Sequence, residues 1–296
     1  MNASTERLNP LTLSRLWAIL PEQLAQIESC ILRGQSWASD WRAAKPSTEH
    51  RGTHKIVVIP VQGVLSKDGP DWMGTSYDSI TDAAEKAAAD PSVKRIVLAV
   101  DSPGGEVTGL PETAAVLAQV AKVKPVSAMV DGVAASAAYW LTSQASDVTL
   151  TPSGEVGSVG VRMMHADIGK MLENEGIKVT ELYSGNFKTE WSPFKPLSEE
   201  AIGDMQERLA AAHTEFLTAI ASGRGERVST QMRDNRMGEG RMFGADAAAS
   251  HGLVDKIQTS RDFYRSIVPA QEKPEAPVHV GFGTQRARLE LERHKF

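Results

Sequence analysis

The chain has 296 residues, 41% of them hydrophobic and 23% charged, which suits one substantial globular core with additions or two modest domains. Its formal net charge of -5 and pI near 5.9 argue against a nucleic-acid binder by bulk electrostatics. The single cysteine, Cys30, excludes an internal disulfide framework and any cysteine-based zinc cluster, and fits a cytosolic or virion-associated protein better than a secreted one.

The opening stretch MNASTERLNPLTLSRLW lacks a basic region followed by an unbroken apolar run, so no signal peptide is predicted. No later window holds roughly 18 uncharged apolar residues, so no membrane-spanning helix and no membrane partner are expected. Residues 11–34 carry apolar side chains at helical spacing, broken at Pro21. This predicts a helical arm whose stripe (Leu13, Leu16, Trp17, Leu20, Leu24, Ile27, Ile31) packs either on its own core or on a partner. The polar, irregular run SWASDWRAAKPSTEHRGTH then reads as a linker, so that arm and linker together take residues 1–52.

The core, residues 53–268, has a different rhythm. KIVVIPVQGVL, RIVLAVD and PVSAMVD are short continuous apolar runs separated by helical patterns over 79–89 and 108–120. Such runs mark strands buried on both faces, hence an α/β fold with a mostly parallel sheet and crossover helices. A fourth cycle is expected from a helix near Ala135, a strand around VTLTP, a helix over 167–175 and a strand KVTELYS. Ser198, followed by Glu199 and Glu200, opens a long amphipathic helix to Ser222, and residues 245–267 read as helix, short strand and helix. The tail, residues 269–296, is Pro-rich and then charged, which predicts a flexible extension.

Two stretches could carry chemistry. In DGVAASAAYW, Ser136 stands among Ala134, Ala135, Ala137 and Ala138; small residues there serve either tight helix packing or access of a substrate carbonyl to a nucleophile at a helix start. VDSPGGEVTG follows a predicted strand and precedes a helix, the position where open α/β sheets bind ligands. A turn at Gly104 and Gly105 could direct backbone N–H groups at an oxyanion, and neither GxGxxG nor GxxxxGK[ST] is present to favour a nucleotide phosphate. A serine nucleophile needs a base. His165, His213 and His251 are candidates, as is Lys188, which would have to be held neutral in an apolar pocket that Phe187, Trp191 and Phe194 could supply, with Ser158 as hydrogen-bond partner.

Five motifs in order, DSPGG (101–105), AASAAY (134–139), GSVGV (157–161), the SGNFK to SPF run (184–194) and GADAAASHGLVD (244–255), resemble the signal peptide peptidase A family of serine/lysine proteases. That family shares the Clp protease/crotonase-like fold. The resemblance implies Ser136 as nucleophile, Lys188 as general base, Ser158 as the hydroxyl orienting the lysine, and Gly104 and Gly105 as the oxyanion hole, with no metal and no cofactor. Many relatives have glycines where this chain has Ala137 and Ala138. Without a predicted spanning helix, the chain is most similar to the phage-encoded branch that processes capsid, portal or scaffold proteins during head assembly. The resemblance therefore implies a homo-oligomeric ring or dome in the host cytoplasm or prohead. A general or signal-peptide-degrading peptidase, an acyl-CoA hydratase or isomerase using Glu106, and a catalytically idle assembly protein are the rival readings.

Overall fold

The computed structural model describes residues 15–32, 45–51, 54–68 and 74–267. Among them a nine-stranded sheet carries the fold, its main path running β2 (Ser47–Arg51), β3 (His54–Leu65), β4 (Val93–Glu106), β5 (Val126–Ala135), β6 (Asp147–Leu150) and β9 (Lys256–Ile257). Strands β3, β4, β5, β6 and β9 are mutually parallel, and β2 closes one edge antiparallel to β3. The crossovers after β3 and β4 are helices α2 (Tyr77–Ala89) and α3 (Leu110–Val123). Ser76 caps α2 by accepting from the Ser79 N–H, and Pro111 lies in the first turn of α3, where its missing N–H removes no helical bond. Val, Ile and Leu dominate the central strands because both faces are covered, and Ile59, Val61, Ile96, Leu98, Val100, Ala128 and Val130 are all buried. The expected α/β architecture with crossover helices is thus what forms.

Three short strands attach at the ends of β4 and β5. β1 (Trp17–Ile19) pairs antiparallel with β4 at Gly104–Glu106, β7 (Glu155–Gly157) continues parallel beside β5, and β8 (Met242–Gly244) pairs antiparallel with β7. The expected helical arm is therefore part strand; helix α1 (Pro21–Leu32) begins only at Pro21, whose fixed φ suits a first helical position. Trp17, Ile19, Leu24 and Ile27 bury their side chains with Val64, so this stripe packs on its own chain. The run read as linker contributes β2. The tail 269–296 lies outside the described residues.

The expected strand KVTELYS does not form. The place beside β6 is taken by β9, and residues 178–184 run irregularly with Val179, Leu182 and Tyr183 exposed. Between β7 and the long helix α6 (Glu199–Arg224) only the short helix α5 (Gly169–Asn174) is regular. Helix α6 is capped by Ser198, which accepts from the Ala201 N–H. Its Phe216 stacks on Trp140 of α4 (Ala137–Thr142), with ring centroids 4.6 Å apart. A stacked pair of this kind contributes about 0.5–1.5 kcal/mol beyond its area burial, so α6 holds down the helix that follows Ser136.

Behind α4, the Tyr139 hydroxyl donates to the Leu253 carbonyl, and the fully buried Arg224 guanidinium grips Asp255 through two bonds of 2.8 and 2.9 Å. Asp255 also accepts from the Val148 N–H. The closing motif therefore ties β9, α6 and α4 into one block, together with α8 (Ala245–Ser250). Helices α7 (Thr230–Asp234) and α9 (Ser260–Ser266) complete the described chain.

Candidate active site

Ser136 stands between β5 and α4 with φ 52° and ψ -116°, a conformation that L residues adopt at a cost of order 1–3 kcal/mol. It is held there by two backbone anchors: its N–H donates to the Gly157 carbonyl (2.8 Å), and Ala135 pairs with Gly157 in the β5–β7 ladder. The Ser136 hydroxyl donates to the Gly160 carbonyl at 3.3 Å, and the residue is 0% exposed. Ala134, Ala135, Ala137 and Ala138 are buried around it, so the alanines do pack tightly, as one of the two sequence readings had it. The strained backbone at Ser136 comes in addition to that packing.

Ser158, one residue past the β5–β7 pairing, also has positive φ (52°), is buried, and its N–H donates to the Arg241 carbonyl. Gly157 before it has φ 134°, and a Cβ there would stand 2.4 Å from the Arg241 carbonyl oxygen. Ser136 and Ser158 are thus presented side by side by adjacent strand ends.

The DSPGG segment is not the expected turn. β4 runs through it to Glu106, flanked by Leu65 of β3 on one side and by β1 on the other. The Gly104 N–H donates to the Ser102 hydroxyl oxygen (3.1 Å), and Ser102 donates to the Gly63 carbonyl (2.6 Å). A Cβ on Gly105 would fall 1.9 Å from the Leu65 carbonyl oxygen, and one on Gly104 2.2 Å from that of Ala18, so both glycines are demanded by the neighbouring backbones. Asp101 accepts from the Val133 N–H and fixes the irregularity where β5 bends toward Ser136. Burial pushes the Asp101 carboxyl up, the Val133 bond draws it back, and nearby Asp131 adds to the rise. Sequence reasoning missed the bracing roles of Asp101 and Ser102; their place in the motif beside the glycines was the available signal.

Lys188 is not brought to Ser136. It is exposed in a run of turns, its N–H donating to the Gly185 carbonyl, and among the described residues no hydrogen bond joins it to Ser136 or Ser158. The apolar enclosure expected around it is open: Phe187 is exposed, and Trp191 is covered instead by Arg208, whose guanidinium lies 4.4 Å from the ring centroid. A cavity of about 330 Å³ beside Lys188 is lined by Glu181, Phe187, Trp191 and Arg208. Among the described residues none of the three histidines hydrogen-bonds to Ser136. His165 bonds the Lys195 carbonyl and His213 bonds Arg236, while His251 ends α8 edge-on to Phe243. Burial, then Arg236, hold the His213 ring below the usual histidine range, with Glu239 opposing. Glu106 is buried and ion-paired to Arg15 at 2.5 Å.

Among the described residues no helix is long and apolar enough to cross a membrane. The family model described as Peptidase family S49 matches residues 118–272. The chain is 32% identical over 211 residues to the capsid assembly protease C of Escherichia phage lambda, covering 70% of this chain and 47% of that protein. It is 29% identical over 247 residues to the head-tail preconnector protein of Enterobacteria phage P21, covering 82% and 48%. The chain thus spans about half the length of these curated relatives. An enoyl-CoA hydratase/isomerase from Marinobacter aquaeolei aligns with TM-score 0.45 at 11% identity, covering 75% of this chain and 74% of that one.

Proposed function

The chain belongs to peptidase family S49, and from that premise we propose that it is a serine endopeptidase in which Ser136 attacks a peptide carbonyl. The observation that carries the reading is the backbone of Ser136: a positive φ, locked between β5 and β7 at the end of a parallel sheet. Strain of this kind is kept where a side chain must be aimed, and packing alone does not require it.

Lys188 is the proposed general base. It takes the Ser136 proton as Oγ bonds to the carbonyl carbon; the oxyanion is stabilised by the N–H groups of Gly104 and Gly105 once they leave their present partners, the Ser102 hydroxyl and the β1 ladder; Lys188 then protonates the leaving amine, and water hydrolyses the acyl-serine. Ser158, beside Ser136, is the hydroxyl that would orient the lysine. The segment bearing Lys188 has to close onto the Ser136 end, in the same chain or from a neighbouring copy. Support comes from the exposed apolar side chains Ile177, Val179, Leu182 and Phe187, which a homo-oligomer would cover. Those apolar residues favour a ring or dome of identical chains.

The names of the lambda and P21 relatives support a substrate among phage head proteins, hence a working place in the host cytoplasm or prohead. The rival acyl-CoA chemistry would need Glu106 as a proton carrier, and Arg15 already neutralises that carboxylate. The test is a mass-spectrometric time course of the chain with an unfolded protein, beside Ser136→Ala and Lys188→Ala. Fragments made by the unmutated chain and by neither variant are expected. Cleavage that persists in Ser136→Ala would refute the reading, and intact substrate throughout would favour a non-catalytic assembly protein.

A further inference from the structure

Residues 16–20 run extended between the Gly104–Glu106 end of β4 and Arg162, beside the strand end that bears Ser136. On one side they pair antiparallel with β4, in the register Trp17 to Glu106, Ala18 to Gly105 and Ile19 to Gly104. The ladder is prolonged at both ends, because Leu20 N–H donates to the Pro103 carbonyl (2.8 Å) and Val107 N–H to the Leu16 carbonyl (3.0 Å). On the other side Trp17 exchanges both backbone bonds with Arg162 (2.9 and 2.8 Å), two residues past the Gly160 carbonyl that accepts the Ser136 hydroxyl. The segment is therefore a strand inserted between the two walls that flank the nucleophile. Three atoms converge at its centre: a Cβ on Gly104 would stand 2.2 Å from Ala18 O, 2.9 Å from Ile19 Cα and 3.0 Å from Ala135 O.

The insert has fastenings of its own. Arg15 pairs with Glu106 on the β4 wall, and Glu28 of α1 pairs with Arg162 on the opposite wall. Trp17 and Ile19 anchor in a small apolar cluster with Leu24, Ile27 and Val64, separate from the main core. Trp17 Nε1 is buried without a hydrogen-bond partner among the described residues, so the seat is incompletely satisfied. Ser136 follows Ala135, whose carbonyl meets the insert at Gly104, and it is 0% exposed. No substrate carbonyl can meet a hydroxyl so covered.

We propose that residues 16–20 are a built-in pseudosubstrate: a strand of the chain's own that occupies the peptide groove and keeps Ser136 covered until an extended substrate displaces it. The proposal rests on the serine endopeptidase reading for its biological meaning, since only there does a covered Ser136 amount to inhibition. The physical claim, that the segment fills a groove able to bind an extended peptide, does not depend on catalysis. Strand addition supplies main-chain hydrogen bonds to any such peptide, so the occupant and a substrate compete on nearly equal backbone terms.

The test separates the two. In the full-length Ser136→Ala chain, Ala18→Pro removes the N–H that the ladder alternation directs at Gly105, and Arg15→Ala with Glu28→Ala cuts both ion pairs while keeping the strand sequence. A fluorescent peptide SRLWAILP, copied from residues 14–21, is titrated into each variant, with melting temperatures confirming that each is folded. At least tenfold tighter binding to a seat-weakened variant than to Ser136→Ala alone is expected. Equal binding by folded variants would overturn the proposal. Cleavage of an unfolded protein is then measured with Ser136 restored; a rise of tenfold or more is expected in the seat-weakened chains. Tighter peptide binding without any cleavage would uphold the plugged groove and sink the protease reading. Cleavage unchanged by loosening the strand would leave the protease reading standing and refute the inhibitory role.

Discussion

The wall that holds Ser136 and the segment that carries Lys188 are built on opposite principles. Around Ser136 each strand end is clasped by another: β4 by β3 and β1, β5 by β7, β7 by β8. Glycines stand where any Cβ would strike a neighbouring carbonyl. From 162 to 198 the chain has one helix of six residues, and it leaves Leu182 93% exposed and Phe187 63% exposed. The proposed nucleophile is fixed by backbone geometry inside a single chain. The proposed base needs a surface to close over it, and the described residues do not supply that surface.

The sharpest break in this comparison is kinetic. Ser136→Ala and Lys188→Ala should each lower hydrolysis of an unfolded protein by about 10³-fold or more, equivalent to roughly 4 kcal/mol of barrier. Ser136→Ala should keep its fold, and Lys188→Ala should leave the melting temperature unchanged, because Lys188 is exposed. Next in size is Arg224→Ala, which removes a fully buried guanidinium and leaves Asp255 only the Val148 N–H and Arg227 at 3.6 Å, and it should destabilise by about 3–5 kcal/mol in denaturant titrations. Gly105→Ala must displace the Leu65 carbonyl, so it should destabilise by about 2–4 kcal/mol, whereas a neutral result would mean that the β3–β4 contact is softer than described.

Acid sets a smaller effect with a definite sign. Burial raises the Asp255 carboxyl, but the hydrogen bonds and charge of Arg224 outweigh it, with the Val148 N–H and Arg227 helping, so its folded pKa lies below the usual carboxylate value. Its contribution is complete above the unfolded value near 4 and is lost as pH falls through the lowered folded value. Asp101, raised chiefly by burial, opposes it by taking up a proton more readily when folded. Unfolding curves of the parent chain and Asp255→Asn should therefore converge below about pH 4. The smallest change is Leu182→Ser, which should shift stability by less than about 0.5 kcal/mol while lowering the assembly state measured by light scattering. A loss of monomer stability instead would place Leu182 in a contact within one chain.

Legibility in the sequence follows the same division. β3, β4 and β5 announce themselves as apolar runs because both faces of each are buried, and the helices between them follow from three- and four-residue spacing. The crowded serine and the glycine pair could be singled out because they fall at two consecutive strand ends, but the residues alone left tight packing open for Ser136, and only the family resemblance gave the pair a role. β1 was not: WAI is too short to carry a period, and its partner lies close to 90 residues away. KVTELYS has the composition of a strand, yet LVDKI holds the place beside β6, and composition alone does not decide between two segments for one sheet edge. The position of Lys188 was unreadable for that reason, since it depends on where that segment comes to rest.

The antiparallel seat of Trp17–Ile19 also bears on the order of synthesis. A ribosome delivers residues 16–20 first, their β4 partners 103–107 next, then Ser136, and only afterwards Arg162, which closes the second ladder. At roughly 5–20 residues per second, the last of these trails the first by several seconds to half a minute. The occupant of the groove is thus waiting before either wall exists. A nascent chain that folds in this order never passes through a stage with an assembled, vacant cleft beside other newly made polypeptides.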